Sequence, residues 1–298
     1  MKYIVIMLGF SLLLFGDNLG DASKIDIAKV KNYKAQNSMQ KWLDGDFGLH
    51  TYKVNYLLPF GVASKNYRSR IPTVEYGKYE AELQVSLKLE IMANKFGLGE
   101  KYYLAYTHQA FWQVYTYSSP FRESLYNPEG FVIFPVQDTS SIFHLRSVKL
   151  ALAHRSNGQP NTENVYFENN QSLGNLSKSI NYVYATFRMQ HQALVTDLKI
   201  WAPLPPVNDN LSDNLDLMDY VGYSSVTFTY FSGENMFTLM GRGNIATGKG
   251  ALEMTYSHPH PLNDSTYWYA KFFTGYCESL IDYNRYITKF SIGFSFSR

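Results

Sequence analysis

A histidine and a serine that lie two residues apart, His154 and Ser156, are the side chains of this sequence best suited to covalent catalysis. An imidazole that accepts the proton of a neighbouring hydroxyl activates that oxygen as a nucleophile. In a β-strand, residues two apart project from the same face, with Cα atoms about 6.5–7 Å apart. The spacing therefore predicts an activated serine if residues 142–156 form a strand.

A third polar side chain, Asn181, is placed to orient the imidazole. A catalytic histidine needs a partner that fixes its tautomer. Residues 181–189 form a second alternating segment, with Asn181 on its apolar odd face. If 157–178 is the loop of a hairpin, Asn181 lies opposite His154, within about 5 Å across the strand pair. The competing interpretation is that these are ordinary polar residues in a ring at a membrane–water interface.

The segment 78–91 shows what kind of element would carry such residues. Every odd position from Tyr79 to Ile91 is apolar, and every even position from Lys78 to Glu90 is polar. At about 3.3 Å per residue, this segment would span roughly 45 Å. A globular strand has about 5–6 residues, whereas a tilted strand that crosses a membrane needs such a length.

Eleven further segments with strand-like patterns bring the predicted number of strands to twelve. An even number of antiparallel strands can close into a barrel, which leaves no sheet edge facing lipid. Long connections then fall on the outer side and short ones on the inner side, as in outer-membrane barrels. We therefore predict an all-β, twelve-stranded antiparallel transmembrane β-barrel. The other strands lie near 50–60, 101–117, 129–137, 142–156, 181–189, 194–202, 219–231, 234–245, 249–258, 266–276 and 284–296; the long connections are 61–77, 118–128, 157–178 and 203–218, and the short ones 138–140, 191–193 and 232–233.

Composition excludes several other classes of protein. Aromatic residues make up 16% of the 298 residues and charged residues 17%, which excludes a disordered tail, a coiled coil and a collagen-like chain. The net charge of +2 provides no basic field, so we expect no nucleic-acid partner. The single cysteine, Cys277, excludes an internal disulfide and a multi-cysteine metal site.

The N-terminus has the pattern of an export signal. Lys2 precedes an apolar run from Tyr3 to Phe15, and Gly20 and Ala22 form a small-x-small cleavage pattern. A retained helical anchor is the alternative, but the run is shorter than the roughly 20 residues of a spanning helix. We predict three parts: a cleaved signal peptide over 1–22, a periplasmic segment over 23–49 and the barrel over 50–298.

The sequence His-Arg-Ser-Asn-Gly at 154–158 resembles the active site of the outer membrane phospholipase A family. Three other stretches share the resemblance, at 118–123, 177–181 and 275–284, and together they cover most of the chain beyond about residue 50. The resemblance implies a twelve-stranded barrel of the bacterial outer membrane, active as a homodimer. It also implies hydrolysis of acyl esters of phospholipids and lysophospholipids (A1 and A2 specificity), at a site in the outer leaflet.

The same resemblance assigns roles to individual residues. It implies that Ser156 is the nucleophile, His154 the base and Asn181 the partner that orients the base. It implies that the backbone N–H of Gly158 donates to the oxyanion. A glutamine at the dimer seam of the family corresponds to His108 here.

Calcium is the cofactor that the resemblance implies. The matching ligands are the Ser177 hydroxyl and the Gln159 carbonyl, with the Ser118 carbonyl contributed by the facing subunit. Asp213 matches a further acidic position, across a variable loop where a solvated charge is the ordinary alternative. Calcium prefers oxygen ligands and would polarise a developing oxyanion.

Several positions depart from the family pattern. Arg155 stands where the family has an acidic residue, and we expect its side chain to point into the barrel. Gln159 replaces an arginine, which matters little for a backbone ligand. Because protonating His108 beside hydrocarbon is costly, we expect dimerisation to weaken at acidic pH. Ser297 and Arg298 follow the final aromatic residue, where such barrels usually end.

Two other functions remain open at this point. A non-catalytic pore or structural barrel would use charged residues such as Glu80, Glu82, Lys88 and Glu90 to line a water path. A soluble secreted serine esterase is the other possibility, and the long alternating strands argue against it. A pore would be indifferent to Ser156, whereas the hydrolase needs this residue together with calcium.

Overall fold

The computed structural model describes residues 30–43, 48–69, 74–136, 144–166, 172–205, 211–261 and 263–298. The predicted signal peptide and the predicted turn at 138–140 lie outside these residues. The chain divides into two compact units, residues 1–49 and 50–298. No helix in the described ranges has the length and apolar character that a membrane span requires.

The first unit contains one described helix, α1 (Tyr33–Leu43). Asn32 precedes the helix, and its Oδ1 atom accepts a hydrogen bond of 3.2 Å from the backbone N–H of Ala35. An asparagine in this position caps the free N–H groups of the first turn. The sequence analysis assigned no secondary structure to this segment.

Within the described residues, the second unit is a closed antiparallel barrel of twelve strands. The strands follow the order β3-β2-β15-β14-β13-β12-β11-β10-β9-β6-β5-β4, and β4 pairs again with β3 to close the sheet. Strands β7 and β8 form a separate hairpin inside the connection between β6 and β9. The strands are β1 (Leu49–Thr51), β2 (Tyr56–Ala63), β3 (Tyr79–Ala93), β4 (Lys101–Trp112), β5 (Phe121–Pro135), β6 (Leu145–Ser156), β7 (Asn161–Tyr166), β8 (Ser172–Asn175), β9 (Ser179–His191), β10 (Leu194–Pro203), β11 (Ser224–Ser232), β12 (Asn235–Asn244), β13 (Lys249–His260), β14 (Asn263–Gly275) and β15 (Ile287–Ser295), with the short helix α2 (Leu217–Val221) between β10 and β11.

The barrel confirms the predicted fold class and number of strands, but one predicted loop is wrong. Residues 118–128 were expected to form a long outer connection, whereas β5 already begins at Phe121 and the connection from β4 is the short segment 113–120. The Asn127-Pro128 pair is a local turn signal, but here it lies inside the strand. Proline is tolerated inside β5 because the ladder between β5 and β6 is interrupted there, with pairs at Tyr126 and Glu129 but none between.

The two faces of the barrel have the opposite polarity to those of a soluble barrel. On β3, Val85 and Leu89 lie on the exposed outer wall, whereas the alternate residues Glu80 and Glu82 are buried inside. Because lipid solvates aliphatic side chains and cannot solvate charge, this inversion is that of a membrane-spanning barrel.

A network of buried charges fills the interior of the barrel near its outer end. The Arg122 guanidinium binds both oxygens of Glu80, at 2.9 and 3.0 Å, and one oxygen of Asp282 at 3.1 Å. Lys289 binds Glu80 at 2.6 Å and Glu278 at 3.0 Å. Since Asp282 and Glu278 belong to the connection between β14 and β15, the network holds this connection inside the barrel mouth as a plug.

The Arg122 network generates a stability prediction. Replacing Arg122 with Met leaves Glu80 and Asp282 buried without their main partner, so we expect a loss of about 3–5 kcal/mol in the free energy of unfolding. Urea unfolding in detergent micelles, followed by the heat-modifiable shift on gels, measures this loss. The matched control is Arg188→Met. Arg188 binds Asp197 at 2.7 Å with its side chain 56% exposed, so its loss should cost less than about 1 kcal/mol. Equal effects of the two substitutions would contradict the structural role of the Arg122 network.

Candidate active site

The pairing of β6 with β9 brings two of the predicted site residues together. His154 lies directly opposite Asn181 in the register of these strands, and Ser156 lies opposite Ser179. The Nδ1 atom of His154 is 2.8 Å from Oδ1 of Asn181. Because that oxygen can only accept, Nδ1 carries the proton and Nε2 is left free to act as a base. The hairpin arrangement expected from the sequence is therefore present, with β7 and β8 in its loop.

The site lies on the outer wall of the barrel. Leu150 and Leu152, which share the face of His154 and Ser156 on β6, are 47% and 55% exposed. Val183, on the face of Asn181, is 42% exposed. Arg155, between the two catalytic candidates, lines the interior cavities instead, as expected. The imidazole and hydroxyl thus project outward, away from the interior of the barrel.

The serine and histidine are close along the strand but do not yet form a reacting pair. Both side chains are half-buried. Among the hydrogen bonds of the described residues, none joins the Ser156 hydroxyl to the imidazole. Catalytic contacts often tighten only when substrate binds, so this geometry is compatible with the predicted pair.

Pro128 and Asn127 shape the back of this site, and the sequence analysis missed both. Pro128 has no backbone N–H and lies on β5, next to β6, where the ladder is interrupted. The His154 carbonyl, which this gap leaves free, accepts a hydrogen bond of 2.6 Å from Nδ2 of the largely buried Asn127. The side chain of Asn127 thereby fixes the backbone of the histidine. The Asn-Pro pair inside an otherwise alternating segment was the sequence signal that could have identified these two residues.

Glycine is required at position 158. Its φ of +62° lies in the left-handed region, and a Cβ there would come within 2.9 Å of the Tyr126 ring. Tyr126 also lies opposite Ser156 in the strand register. The chain therefore turns tightly after the serine and keeps the exposed Gly158 beside it, which suits a backbone N–H donor near the reacting carbonyl.

A buried asparagine, Asn157, ties this turn to the return segment before β9. Its Nδ2 donates to the Leu176 carbonyl at 2.8 Å. Its Oδ1 accepts from the backbone N–H groups of Lys178 at 3.0 Å and Gln159 at 3.3 Å. The side chain thus positions both predicted calcium-ligand segments relative to Ser156.

The loop between β10 and β11 brings an acidic residue to the same place. One oxygen of Asp213 accepts a hydrogen bond of 2.6 Å from the Ser177 hydroxyl, and the other accepts one of 2.6 Å from Nδ2 of Asn175. Next to it, the buried Asn214 makes two hydrogen bonds with the backbone of Ser179, at 3.0 and 3.1 Å. The structure therefore places Asp213 against Ser177, at the start of β9.

A tyrosine fastens this loop to the plug. The Tyr283 hydroxyl donates to the Asp216 carboxylate. Burial raises the pKa of Tyr283 above its ordinary value, and the neighbouring carboxylate adds to the effect. The hydroxyl therefore stays protonated as a donor across the physiological range, and the position of Asp213 depends on the plug as well as on β9.

The chemistry of this cluster fits a hard cation. The described residues contain no group of three or more His, Cys, Asp and Glu side chains that could hold a metal. The Ser177 hydroxyl, the Asp213 carboxylate and the exposed loop at Gln159 instead offer neutral and anionic oxygens, the ligands that calcium prefers. Ser118 is exposed on the connection between β4 and β5, with a left-handed φ of 60°.

His108 lies on the outer wall beside the site. Its ring centre is 5.1 Å from that of Tyr126, the residue that packs against Gly158. The expected role of His108 at a dimer seam stays a prediction, because the structure contains a single chain.

An apolar groove of about 780 Å³ runs along the wall below His154 and Asn181. It is lined almost wholly by aliphatic and aromatic side chains. Residues that frame it include Leu104, Leu150, Leu152, Val183, Ala185 and Ile200.

Both the sequence and the fold of this chain are similar to those of known proteins. The sequence model of the phospholipase A1 family matches residues 31–296. The phospholipase A1 of Klebsiella pneumoniae is 29% identical over 279 residues, covering 92% of this chain and 90% of that protein. A structure of outer membrane phospholipase A from Escherichia coli, in an active-site mutant at pH 6.1, has a TM-score of 0.74 at 26% identity and covers 85% of this chain and 93% of its own.

A second similar structure is the outer membrane phospholipase of Salmonella typhi, described as a dimer with bound calcium. It has a TM-score of 0.73 at 28% identity, with the same coverage of 85% and 93%. The match extends over nearly the full length of both chains, includes the twelve-stranded barrel and is consistent with a place in the bacterial outer membrane. On this evidence the chain belongs to the phospholipase A1 family of acyl ester hydrolases.

Proposed function

We propose that this protein is a calcium-dependent phospholipase of the outer membrane that hydrolyses acyl esters of phospholipids and lysophospholipids. The observation that carries the proposal is the hydrogen bond between His154 and Asn181 on the outer wall, with Ser156 on the same face of β6. A site in this position meets lipid substrate directly, since it faces away from the barrel interior.

The reaction begins with attack of the Ser156 hydroxyl oxygen on the carbonyl carbon of an acyl ester. Nε2 of His154 accepts the hydroxyl proton, while Asn181 holds the ring by its Nδ1–H. The backbone N–H of Gly158 donates to the oxygen that becomes negative. The tetrahedral species then collapses, and the imidazolium returns the proton to the departing lysolipid oxygen.

Water completes the cycle. His154 takes a proton from a water molecule that attacks the acyl–serine ester, and the carbonyl again passes through an oxyanion beside Gly158. When this species collapses, the imidazolium returns the proton to the departing Ser156 oxygen, so the fatty acid is released and the Ser156 hydroxyl is regenerated. The apolar groove below the site accommodates the acyl chain, because its lining consists of aliphatic and aromatic side chains.

Calcium, when bound, adds positive charge that stabilises the developing oxyanion and organises nearby water. Ser177, Gln159 and Asp213 are the residues of this chain that would hold it, and the Ser118 carbonyl would come from a second subunit. Support comes from the contact of Asp213 with Ser177 and from the calcium in the similar Salmonella typhi structure. Each carboxylate oxygen of Asp213 accepts one hydrogen bond, from Ser177 or from Asn175, and keeps a further lone pair that can face a cation.

A homodimer is the active form in this proposal. Each subunit completes the calcium site of the other through Ser118, and His108 lies at the seam. A monomer in an undamaged membrane then lacks both a finished cation site and substrate in the outer leaflet. Membrane damage supplies substrate and favours pairing, which would keep the enzyme idle until that point.

The alternative of a pore finds little support in the interior of the barrel. The charged residues Glu80 and Glu82, which were candidates to line a water path, are completely buried in ion pairs with Arg122, Lys271 and Lys289. The connection between β14 and β15 occupies the mouth above them.

The first prediction from this mechanism concerns the nucleophile. We expect Ser156→Ala to reduce fatty-acid release from phospholipid vesicles by at least about 10³-fold, because covalent catalysis is lost. Calcium should stimulate the wild type and leave the variant inactive. An unchanged heat-modifiable shift shows that the barrel is folded. Full calcium-dependent activity in the variant would rule out the proposed nucleophile.

A second prediction separates the orienting residue from the nucleophile. Asn181→Ala removes one hydrogen bond to a ring that becomes charged, so we expect kcat to fall about 10- to 100-fold with KM little changed. Asn175→Ala is the matched control, since this asparagine lies in the same connection but contacts Asp213. It should alter the calcium requirement and leave kcat at saturating calcium intact. The reverse pattern would contradict the assignment of Asn181.

A third prediction tests the acidic calcium ligand. Asp213→Asn keeps the shape of the side chain and removes its charge, so we expect the calcium concentration for half-maximal activity to rise about tenfold or more. Asp219→Asn is the control, because Asp219 is exposed on the neighbouring helix α2. Calcium titration of fatty-acid release measures both. Identical calcium curves for Asp213→Asn and the wild type would remove Asp213 from the site.

A further inference from the structure

A chamber of about 390 Å³ lies inside the barrel behind the active site, and the proposed reaction does not use it. The volume falls within the roughly 300–1,000 Å³ of ligand pockets and far exceeds the ~30 Å³ of one water molecule. Arg155 lines it from the face of β6 opposite to His154 and Ser156. We call this space the luminal chamber. Its lining residues are Lys53, Arg155, Ile180, Tyr182, Lys199, Trp201, Leu217, Val221, Ser225, Met240, Arg242, Cys277 and Leu280.

The luminal chamber is lined by four basic side chains and by no carboxylate among the described residues. Nζ of Lys53 forms an ion pair with Glu129 and donates a hydrogen bond of 3.2 Å to Oδ1 of Asn127. Glu129 also accepts hydrogen bonds from the hydroxyls of Tyr52 and Tyr184, so its capacity is largely taken up. The other three basic side chains of the chamber have no carboxylate of its lining beside them.

These three cations are Arg155, Lys199 and Arg242, and none forms an ion pair within the described part of the chain. Lys199 lies over the Tyr184 ring, with Nζ 3.8 Å from the ring centre. Nη2 of Arg242 donates to the carbonyls of Tyr276 and Cys277, at 2.7 and 2.9 Å. The other terminal nitrogen of Arg242, Nη1, is buried with no hydrogen-bond partner.

A buried basic donor without a hydrogen-bond partner costs free energy, and an anion that accepts from this donor removes the cost. The neighbouring cavity, of about 640 Å³, shows the contrast, because Asp197, Glu253 and Glu278 line it together with its cations. The opposite half of the luminal chamber is apolar, with Leu217, Val221, Met240 and Leu280 from α2, β12 and the plug. A simple inorganic counterion would leave this half uncovered.

We propose that the luminal chamber binds an amphiphilic carboxylate. The carboxylate accepts hydrogen bonds from Arg155, Lys199 and Arg242, and a short apolar body packs against the aliphatic half. The chamber shares Lys53, Arg155 and Arg242 with the larger cavity, which reaches Arg298 at the far end of the barrel. The ligand therefore enters through the barrel interior and does not pass through the acyl groove on the outer wall.

The experiment uses the full chain in micelles of a non-ionic detergent and sodium hexanoate as the probe. Isothermal titration calorimetry should show saturable binding with one hexanoate per chain. Lys199→Met and Arg242→Met each remove one charge-assisted donor, so we expect affinity to fall at least about tenfold. Arg188→Met is the matched control, because Arg188 does not line the luminal chamber and is paired with Asp197. It should bind hexanoate like the wild type.

Further titrations separate the two halves of the proposal. Hexanol tests whether the charge is needed, and sodium chloride at equal ionic strength tests whether the apolar body is needed. Neither should bind saturably or displace hexanoate. The heat-modifiable shift identifies folded variants, and Lys199→Met keeps the volume of the side chain if Arg242→Met disturbs the plug. Absence of saturable hexanoate binding, equal binding by folded variants and wild type, or displacement by chloride would each overturn the proposal.

Fatty-acid release by the wild type and by Ser156→Ala provides an independent check. Ser156 faces outward, so its alanine variant should bind hexanoate with unchanged affinity while hydrolysis is lost. The two proposals can therefore fail separately. An inactive wild type that binds hexanoate would contradict only the phospholipase assignment, and an active wild type that does not bind it would contradict only the luminal chamber.

Discussion

The inability of lipid to form hydrogen bonds with a peptide backbone is the constraint on which this structure depends. It forces the strands to pair with one another until the sheet closes, which β3 and β4 accomplish. Closure in lipid then reverses the usual distribution of side chains, so that Val85 and Leu89 lie outside and Glu80 and Glu82 lie inside. The inversion has two consequences: charged side chains lie in the interior, and the polar side chains of His154, Ser156 and Asn181 lie on an otherwise apolar wall.

In the interior of the barrel, most buried charged side chains form ion pairs with one another. Arg122 and Lys289 are surrounded by Glu80, Glu278 and Asp282, and these contacts also hold the plug in the barrel mouth. The luminal chamber is the exception, because its cations exceed its carboxylates. The ion pairs of the network hold the plug, whereas Arg155, Lys199 and Arg242 in the luminal chamber form no ion pair among the described residues.

On the outer wall, the partner of the histidine is a neutral side chain. Asn181 fixes the tautomer of His154 without placing a permanent negative charge beside hydrocarbon, where an ionised carboxylate would be expensive. Asn127 and Asn157 act in the same way on the backbone, through hydrogen bonds to the His154 carbonyl and to Lys178. Uncharged amides thus hold the site in shape, and the acidic residue Asp213 is kept to the loops at the end of the barrel.

The sequence by itself determined the class of fold, the number of strands and the outward face of His154 and Ser156. Alternation with a period of two is a local property, and the choice between lipid and interior follows from the polarity of each face. The pairing of His154 with Asn181 was also predictable, because a hairpin fixes which residues lie opposite each other.

Only the tertiary structure decided how distant segments meet. Nothing local indicates that Asp213 binds Ser177, that Asn127 caps the His154 carbonyl, or that Arg242 and Lys199 face one chamber with Arg155. The start of β5 at Phe121, before Pro128, was mispredicted for the same reason. A proline in a local sequence pattern predicts a turn, whereas the place of Pro128 inside β5 depends on a gap in the pairing of β5 with β6. These contacts join residues far apart in the chain, and their geometry is set by closure of the barrel.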